Sequence, residues 1–492
     1  MTTEKQPPKG GRLARQAAML CQDPAFRLYL DRRRRHKQGL TEAQLPDGTH
    51  NEQDARDCLA EADPESQSSK RRRTPRQRNL GNLPASLPRE DVVVEPEATA
   101  CLCCGDELHV IGEDVSEQLD VIPARFTVKR IRQPRMGCRT CEAPPVQAPA
   151  PPRIVEGGLP TEALVAHVVV AKYLDHQPLY RQAERYAREG VALDRATLAH
   201  WVGRAAWWLR PLYRTLLAQL TAGETIFADD TPVPVLDPGR RRTKTGRLWA
   251  YASDDRPWRP EAAPAVAYVY TPGRSHEHPV DHLKDFAGVL QVDAFQGFDR
   301  LVEKRGENEV VLAHCWAHCR RKIYDVHKAT GSPIAAEALE RIAKLYAVET
   351  EIRGQDAATR RRERQDRAQP VADALKPWLE NQLTRISGKS QLAGAIRYIL
   401  ARWTSLTRYL EDGRLEIDTN TVERSMRPVA LGRKNHLFAG SDGGGETWAI
   451  LASLLQTAKL NGRNAEAYLR DTLECLVRGH PANRLAELLP YS

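Results

Sequence analysis

Residues 224–236 read ETIFADDTPVPVL, an apolar run in which two adjacent aspartates, Asp229 and Asp230, precede Thr231 and Pro232. Further apolar runs follow: GRLWAYAS at 246–253, AVAYVYT at 265–271 and GVLQVDAF at 288–295. Short runs of this composition, bounded by Gly, Pro or charged residues, predict β-strands. Because helical patterns precede and follow them, we expect an α/β protein.

Composition narrows the class of protein. The 492 residues include 73 Lys+Arg against 64 Asp+Glu, a net charge of +9 that permits a nucleic-acid partner without demonstrating one. There is no apolar run of about 18 residues, so no membrane partner is expected. The N-terminus, MTTEKQPPKG, lacks the apolar core of a secretion signal, which predicts a cytoplasmic protein. Ten cysteines in such a chain favour metal binding over disulfides.

Two C-x2-C pairs predict a structural zinc site. The pairs are Cys101/Cys104 and Cys138/Cys141, and Cys103 is interpreted as a non-ligand. Four thiolates from two tight turns satisfy tetrahedral Zn²⁺ and leave no position open for a substrate. The segment between the pairs alternates like the strands of a hairpin, so a zinc ribbon is expected. Free buried cysteines are the alternative.

The segment PLYRQAERYAREGVALDRATLAHWVGRA predicts a helix-turn-helix at about 180–206. Gly190 can supply the left-handed turn and Asp194 can cap the second helix. Arg195, Thr197 and His200 would then face a DNA major groove. The same spacing also suits a helical hairpin that serves packing alone.

Three acidic residues are candidate metal ligands. Asp229 (or its neighbour Asp230) and Asp293 lie at the ends of apolar strands, where an unpaired carboxylate is costly. Together with Glu423 they could hold two Mg²⁺ ions for displacement at phosphorus. The alternatives are structural acids and, for Glu423, a capping box that begins at Asn420.

Basic and sulfur-containing residues accompany these acids. Arg427, Arg433 and Lys434 follow Glu423 and could face phosphates. The run HCWAHCRR at 314–321 pairs His314 with His318, and Cys315 with Cys319, at helical spacing. Because a strand-like run precedes it, packing or orientation is favoured over metal binding there.

The ordered set of motifs resembles the DDE-type transposases of the insertion sequence 66 family. It spans about residue 70 to the C-terminus and includes CLCCG, CRTCE, ADDTPVPVL, GVLQVDAFQGF, CWAHCRRK, IDTNTVERSMRPVALGRKNHLFAGSDGGGE and TAKLNGRNAEAYLRDTLE. The resemblance implies Asp229, Asp293 and Glu423 as the catalytic triad, with two Mg²⁺ or Mn²⁺ ions. It also implies a ribonuclease H-like mixed-sheet core with a helical insertion, preceded by the zinc ribbon and the helix-turn-helix.

Composition, local patterns and this resemblance together divide the chain into successive regions. They are a basic, partly disordered arm (1–75), the zinc ribbon (76–155), the helix-turn-helix region (156–220), the first part of the core (221–330), the insertion (331–411), the second part with Glu423 (412–450) and a helical C-terminus (451–492). The sequence departs from the family pattern at Asp230, where Glu is expected, at Thr419, where Asn is expected, and at His436, where Trp is expected. Residues 1–65 also lack the leucine-rich opening of the family.

The resemblance implies a nucleoid-associated bacterial transposase. Such a protein binds the terminal inverted repeats of its element, cleaves them and joins the 3′ ends to target DNA, as a homo-oligomer on DNA and with possible accessory proteins. A transposase-derived DNA-binding protein without catalytic activity is the alternative reading. A nuclease that cuts but does not join is the third.

Overall fold

The computed structural model describes residues 89, 91, 93, 126–136, 139, 146–240, 242–306 and 309–492, and all of these belong to the unit Ala62–Ser492. Its strands are β1 (Arg135–Met136), β2 (Val146–Gln147), β3 (Thr225–Asp237), β4 (Arg242–Ser253), β5 (Ala265–Thr271), β6 (Gly288–Val292) and β7 (Val310–His314). Strands β1 and β2 pair with each other, and the other five form one sheet in the order β5-β4-β3-β6-β7.

The five-stranded sheet is mixed. Strands β3, β4 and β5 form an antiparallel meander, whereas β6 and β7 run parallel to β3. The parallel register pairs Ala228 of β3 with Val292 of β6. Asp229 and Asp293 are the next residues along the chain after this pair, so the register alone brings the two acids side by side where the pairing of β3 with β6 ends.

The helices before the sheet are α1 (Glu162–Tyr173), α2 (Leu179–Arg188) and α3 (Arg195–Thr221). Within and after the sheet come α4 (Glu277–His282), α5 (Gln296–Arg305), α6 (Trp316–Thr330), α7 (Pro333–Ile352), α8 (Ala357–Glu363), α9 (Gln369–Arg385), α10 (Gln391–Leu400), α11 (Trp403–Thr407), α12 (Asn420–His436), α13 (Asp442–Leu460) and α14 (Ala465–Val477). Short 3₁₀ turns lie at Pro238–Arg240, Arg408–Leu410 and Ala482–Leu488, and a π-helical turn at Arg364–Ala368. None of these described helices is long and apolar enough to cross a membrane.

Two apolar cores organise this part of the chain. The larger one joins the sheet to α1, α3, α12, α13 and α14, with Trp249, Tyr251 and Tyr268 fully buried in the strands. The second joins α6, α7, α9 and α10 around Trp316 and Ile342. The two cores meet where β7 leads into α6, since Ala313 packs into the second core while its strand belongs to the sheet.

Several local predictions are confirmed. Gly190 has a φ of +84°, and Asp194 accepts a hydrogen bond from the Ala196 N–H at 2.8 Å. Ser332 caps α7 with Pro333 directly after it, a common order at the start of a helix. The helix α14 ends at Val477, just before Gly479.

Other predictions were wrong. Residues 126–134 do not form the expected hairpin strands, and only the two-residue β1 pairs, with β2. Residues 146–147, in a Pro-rich stretch, are therefore part of a sheet. In the helix pair α2–α3, Ala187 and Ala196 are exposed, because these helices present Tyr186 and Leu198 to the core. The helices α4 and α5 were not predicted.

Candidate catalytic acid cluster

Asp229 is the centre of a group of negative charges. Burial raises the pKa of its carboxyl well above the usual range, and the charges of Asp293, Glu423 and Asp230 raise it further. The backbone N–H of Asp230 donates to Asp229 Oδ1 at 2.8 Å and partly offsets this effect. A carboxylate held among other carboxylates is the usual arrangement at a cation site.

Asp230 occupies a different environment from its neighbour. Its side chain is 2% exposed and accepts from Arg247 Nη1 at 3.0 Å and from Arg274 Nη2 at 2.7 Å. Alternation along a strand sends adjacent side chains to opposite faces. The two arginines therefore neutralise Asp230, whereas Asp229 faces the acidic residues. This difference supports Asp229 over Asp230 as the candidate ligand.

Asp293 lies directly after β6 and before α5. Its Oδ1 accepts the backbone N–H of Phe295 at 3.0 Å, which fixes the carboxylate at the strand end. The guanidinium of Arg274 lies 4.1 Å from the centre of the Phe295 ring. Arg274 thus contacts both Asp230 and the turn that holds Asp293, so one side chain links the middle of β3 to the ends of β5 and β6.

Glu423 lies in the first turn of α12, the helix that packs against β3. Its Oε1 accepts from the Thr419 hydroxyl at 3.1 Å, so Thr419 supplies a hydrogen bond at the position where the family pattern has Asn. The capping-box alternative is wrong: Thr419 rather than Asn420 is the N-cap, and the Asn420 N–H donates to Asp418 Oδ1 at 3.1 Å. The Glu423 carboxylate is therefore available to the acidic cluster.

A thiol and an imidazole also lie close to Glu423. Cys315 is buried, and its Sγ accepts the Thr419 N–H at 3.3 Å. His318 Nδ1 lies 3.7 Å from Glu423 Oε1. His314 ends β7 and its Nδ1 lies 2.7 Å from Ser405 Oγ, so His314 and His318 do not share a helix face. The expectation that helical geometry starts late in this motif is confirmed.

The residues predicted to contact DNA lie at the start of α3 and on α12, and most of them are exposed. Arg195 and His200 are exposed at the start of α3, and Thr197 is half-buried. Arg427 and Lys434 are exposed on α12. Arg433 is half-buried, and its Nη1 donates to the Pro232 carbonyl at 2.6 Å, so part of this guanidinium holds α12 against β3.

The four predicted zinc ligands, Cys101, Cys104, Cys138 and Cys141, lie outside the described residues, as does Cys103. The arm predicted for residues 1–75 also lies outside them.

Comparison with known proteins identifies the family of the chain. The profile described as "Transposase IS66 family" matches residues 157–447. The chain belongs to this family. The "zinc-finger binding domain of transposase IS66" matches residues 98–142, and the "IS66 C-terminal element" matches 453–491. These matches support a transposase with a zinc-finger domain, a divalent metal in the matched transposase region, and DNA as its partner.

Three proteins of Sinorhizobium fredii (strain NBRC 101917 / NGR234) are similar over most of their length. "Uncharacterized protein y4jD" is 50% identical over 87% of this chain and 84% of its own. "Uncharacterized protein y4qI" is 44% identical over 86% and 78%, respectively. "Uncharacterized protein y4hP" is 37% identical over 83% and 76%.

The contacts that position the acids were not predicted from the sequence. The contact of Arg247 could have been predicted from the pairing of β3 with β4. Arg247 lies opposite Pro232 in that register and is therefore a diagonal neighbour of Asp230. Arg274 and Thr419 carried no comparable signal, since their contacts depend on how β5 and α12 pack. His318 was singled out, but for a different partner.

Proposed function

We propose that the protein is a DDE-type DNA transposase whose catalytic acids are Asp229, Asp293 and Glu423. It cleaves the ends of its element and joins the 3′ ends to target DNA. The observation that carries the proposal is the acidic environment of Asp229, in which two further carboxylates from β6 and α12 act on one buried carboxyl. The mixed order β5-β4-β3-β6-β7 supports a ribonuclease H-like core.

These residues fit a hard divalent cation. Three carboxylates are oxygen ligands of the kind that Mg²⁺ and Mn²⁺ prefer, and their mutual repulsion is relieved by added positive charge. When bound, two such ions would activate the attacking oxygen and stabilise the leaving oxygen in displacement at phosphorus. Asp229 and Asp293 would be held by the sheet, and Glu423 by α12.

The chain's own residues would position the substrate. Glu423, Arg427 and Lys434 fall within about 40° of one another around α12, because their spacings are close to whole turns of a helix. Arg427 and Lys434 would lie about 6 Å and 16 Å from Glu423 along the helix axis. We infer that the phosphate backbone of an element end follows this face, with Arg433 contributing the part of its guanidinium that faces outward.

The helix pair α2–α3 is proposed to bind the terminal inverted repeats through Arg195, Thr197 and His200. Its turn and cap have the predicted geometry. However, α3 continues to Thr221 and one of its faces is buried along its length, so it also serves the core. The four-cysteine site is proposed to hold structural zinc, and the seven regions expected from the sequence are retained as proposed domains. Assembly into a homo-oligomer on DNA, with accessory proteins, belongs to the same proposal.

The test is end cleavage and strand transfer with purified protein, the DNA that flanks its own gene, and Mg²⁺ or Mn²⁺. We expect wild type to cut and join, and Glu423→Gln to bind the ends without cutting. Cutting without joining would indicate the nuclease reading. Binding without cutting by wild type, with every metal, would favour the inactive DNA-binding protein.

A further inference from the structure

We propose that Cys315, His318 and Glu423 form a second metal site, which takes a borderline-soft divalent cation such as Zn²⁺. One donor atom from each of these residues lies within 4.8 Å of the other two. The site would be separate from the four-cysteine finger and from the carboxylates Asp229 and Asp293.

The fold fixes the positions of these three donors. Cys315 is the N-cap residue of α6, and His318 follows it within the first turn of the same helix. The segment that leads into α12 is tied to this turn, since Trp316 N–H donates to the Ile417 carbonyl at 3.1 Å and Thr419 N–H donates to Cys315 Sγ at 3.3 Å. Glu423 is one turn further along α12. The donors therefore come from two elements that are hydrogen-bonded to each other.

An unpartnered imidazole nitrogen points to a ligand at this place. Among the described residues, His318 Nδ1 is a buried polar atom without a hydrogen-bond partner, although the side chain as a whole is 29% exposed. Its distance of 3.7 Å from Glu423 Oε1 is outside hydrogen-bonding range. A buried polar group without a partner is costly, so an occupant between these two atoms would be stabilised.

The donor set selects the metal. Thiolate, imidazole and carboxylate together suit Zn²⁺, whereas Mg²⁺ prefers oxygen ligands. Around a tetrahedral zinc, donor atoms lie about 3.3–3.6 Å apart. The imidazole–carboxylate pair, at 3.7 Å, is already close to that separation, and no pair has to close by more than about 1.5 Å. Three protein ligands leave one position open, so the ion would be exchangeable and not permanently enclosed.

The site shares a residue with the acidic cluster, and this consequence rests on the proposed function. Glu423 would be drawn toward Cys315 and His318 when zinc binds, and would no longer be available beside Asp229. Zinc would therefore inhibit DNA cleavage by competing for Glu423. A protein that contains such a site could be silenced by free zinc and reactivated by a chelator.

The primary test counts zinc. Full-length wild type, Cys315→Ala, His318→Ala and Cys319→Ala are equilibrated with buffered Zn²⁺, and bound metal is measured by mass spectrometry. Cys319 is the matched control because it is a buried cysteine of the same helix that lies outside the cluster. We expect wild type and Cys319→Ala to bind one equivalent more than Cys315→Ala and His318→Ala. His318→Ala changes a partly exposed side chain, so it tests the site even if Cys315→Ala fails to fold.

Equal zinc content in all four proteins would overturn the site. An equal loss in Cys319→Ala and Cys315→Ala would also overturn it, because the loss would then follow from disturbing α6. Absorption of bound Co²⁺ gives a second readout: the thiolate band should be weaker in Cys315→Ala than in wild type and in Cys319→Ala, and the band that remains should be that of the four-cysteine site.

The consequence for cleavage is measured separately. Wild-type cleavage with Mg²⁺ should fall at least tenfold when the extra zinc equivalent binds, and should recover on chelation. A zinc difference without any change in cleavage would reject the sharing of Glu423 but leave the site standing. A protein that never cleaves would count against the proposed function, and the zinc count would be unaffected.

Discussion

The neighbouring aspartates Asp229 and Asp230 should respond in opposite directions to the same substitution. Asp230→Asn removes the negative charge that pairs with Arg247 and Arg274. Hydrogen bonds between charged groups contribute about 1.5–3 kcal/mol each. The amide keeps one acceptor oxygen, and the Arg274 pair counts for less because that arginine is 39% exposed. We therefore expect the free energy of unfolding to fall by about 2 kcal/mol.

Asp229→Asn should stabilise the metal-free protein. Two unit charges 5 Å apart repel by about 3 kcal/mol at an effective dielectric constant of 20. Because burial and the neighbouring charges raise the pKa of Asp229, proton binding would relieve part of this repulsion. We therefore expect the free energy of unfolding of metal-free Asp229→Asn to exceed that of wild type by about 1 kcal/mol. In saturating Mg²⁺ the order should reverse, because wild type gains binding energy that the variant lacks.

The assay is urea unfolding followed by tryptophan fluorescence, first in chelator and then in Mg²⁺, with transition midpoints compared among the three proteins. A destabilised Asp229→Asn beside an unchanged Asp230→Asn would refute the assignment of the two aspartates. Equal shifts in both would mean that the two carboxylates share one environment.

Three further outcomes are expected. Arg364→Ala should lower the free energy of unfolding by at least about 3 kcal/mol, because this fully buried arginine pairs with Glu349 and donates to three backbone carbonyls. In the same urea titration, substitution of an exposed neighbour, Arg361→Ala, should change it by less than about 0.5 kcal/mol. Leu437→Gly should raise the free energy of unfolding by about 1 kcal/mol, because Leu437 has a φ of +64° and is 65% exposed, and Leu437→Ala should bring no such gain. Burial lowers the pKa of His282 from 6.5 to about 4. The unfolded chain therefore binds more protons between pH 4 and 6.5, and the free energy of unfolding falls as pH drops through this range, by at most about 1.4 kcal/mol per pH unit. His282→Phe should flatten the pH dependence of the urea midpoint there, and an unchanged slope would contradict this account.

Local sequence patterns predicted the strands because their signals are contained within each run. The apolar segments around Phe227, Trp249 and Tyr268 form β3, β4 and β5, and GVLQV forms β6. The proximity of Asp229 and Asp293 also follows from local patterns once β3 and β6 are parallel neighbours, since both acids then come one residue after a paired position.

Contacts that depend on packing could not be predicted from the sequence. The charged run at 357–369 was expected to face solvent at least in part, and Arg361 does, but Arg360 and Arg364 are buried against Glu349 and Glu416. A charged pattern alone does not reveal that an acidic partner lies on a distant helix. His436, which stands where the family pattern has Trp, fills its place by hydrogen bonding through Nε2 to the Lys172 carbonyl and packing edge-on against Trp448.

The central claim is that Asp229, Asp293 and Glu423 act together on DNA. The most direct measurement compares element-end cleavage by Asp229→Asn and Asp230→Asn with wild type, at equal protein concentration and after confirming end binding. Loss of a metal ligand should cost at least about 100-fold in rate, more than the loss of a residue that only orients one. We predict that Asp229→Asn binds the ends but does not cut, and that Asp230→Asn still cuts. Cleavage by Asp229→Asn at the wild-type rate would contradict the claim.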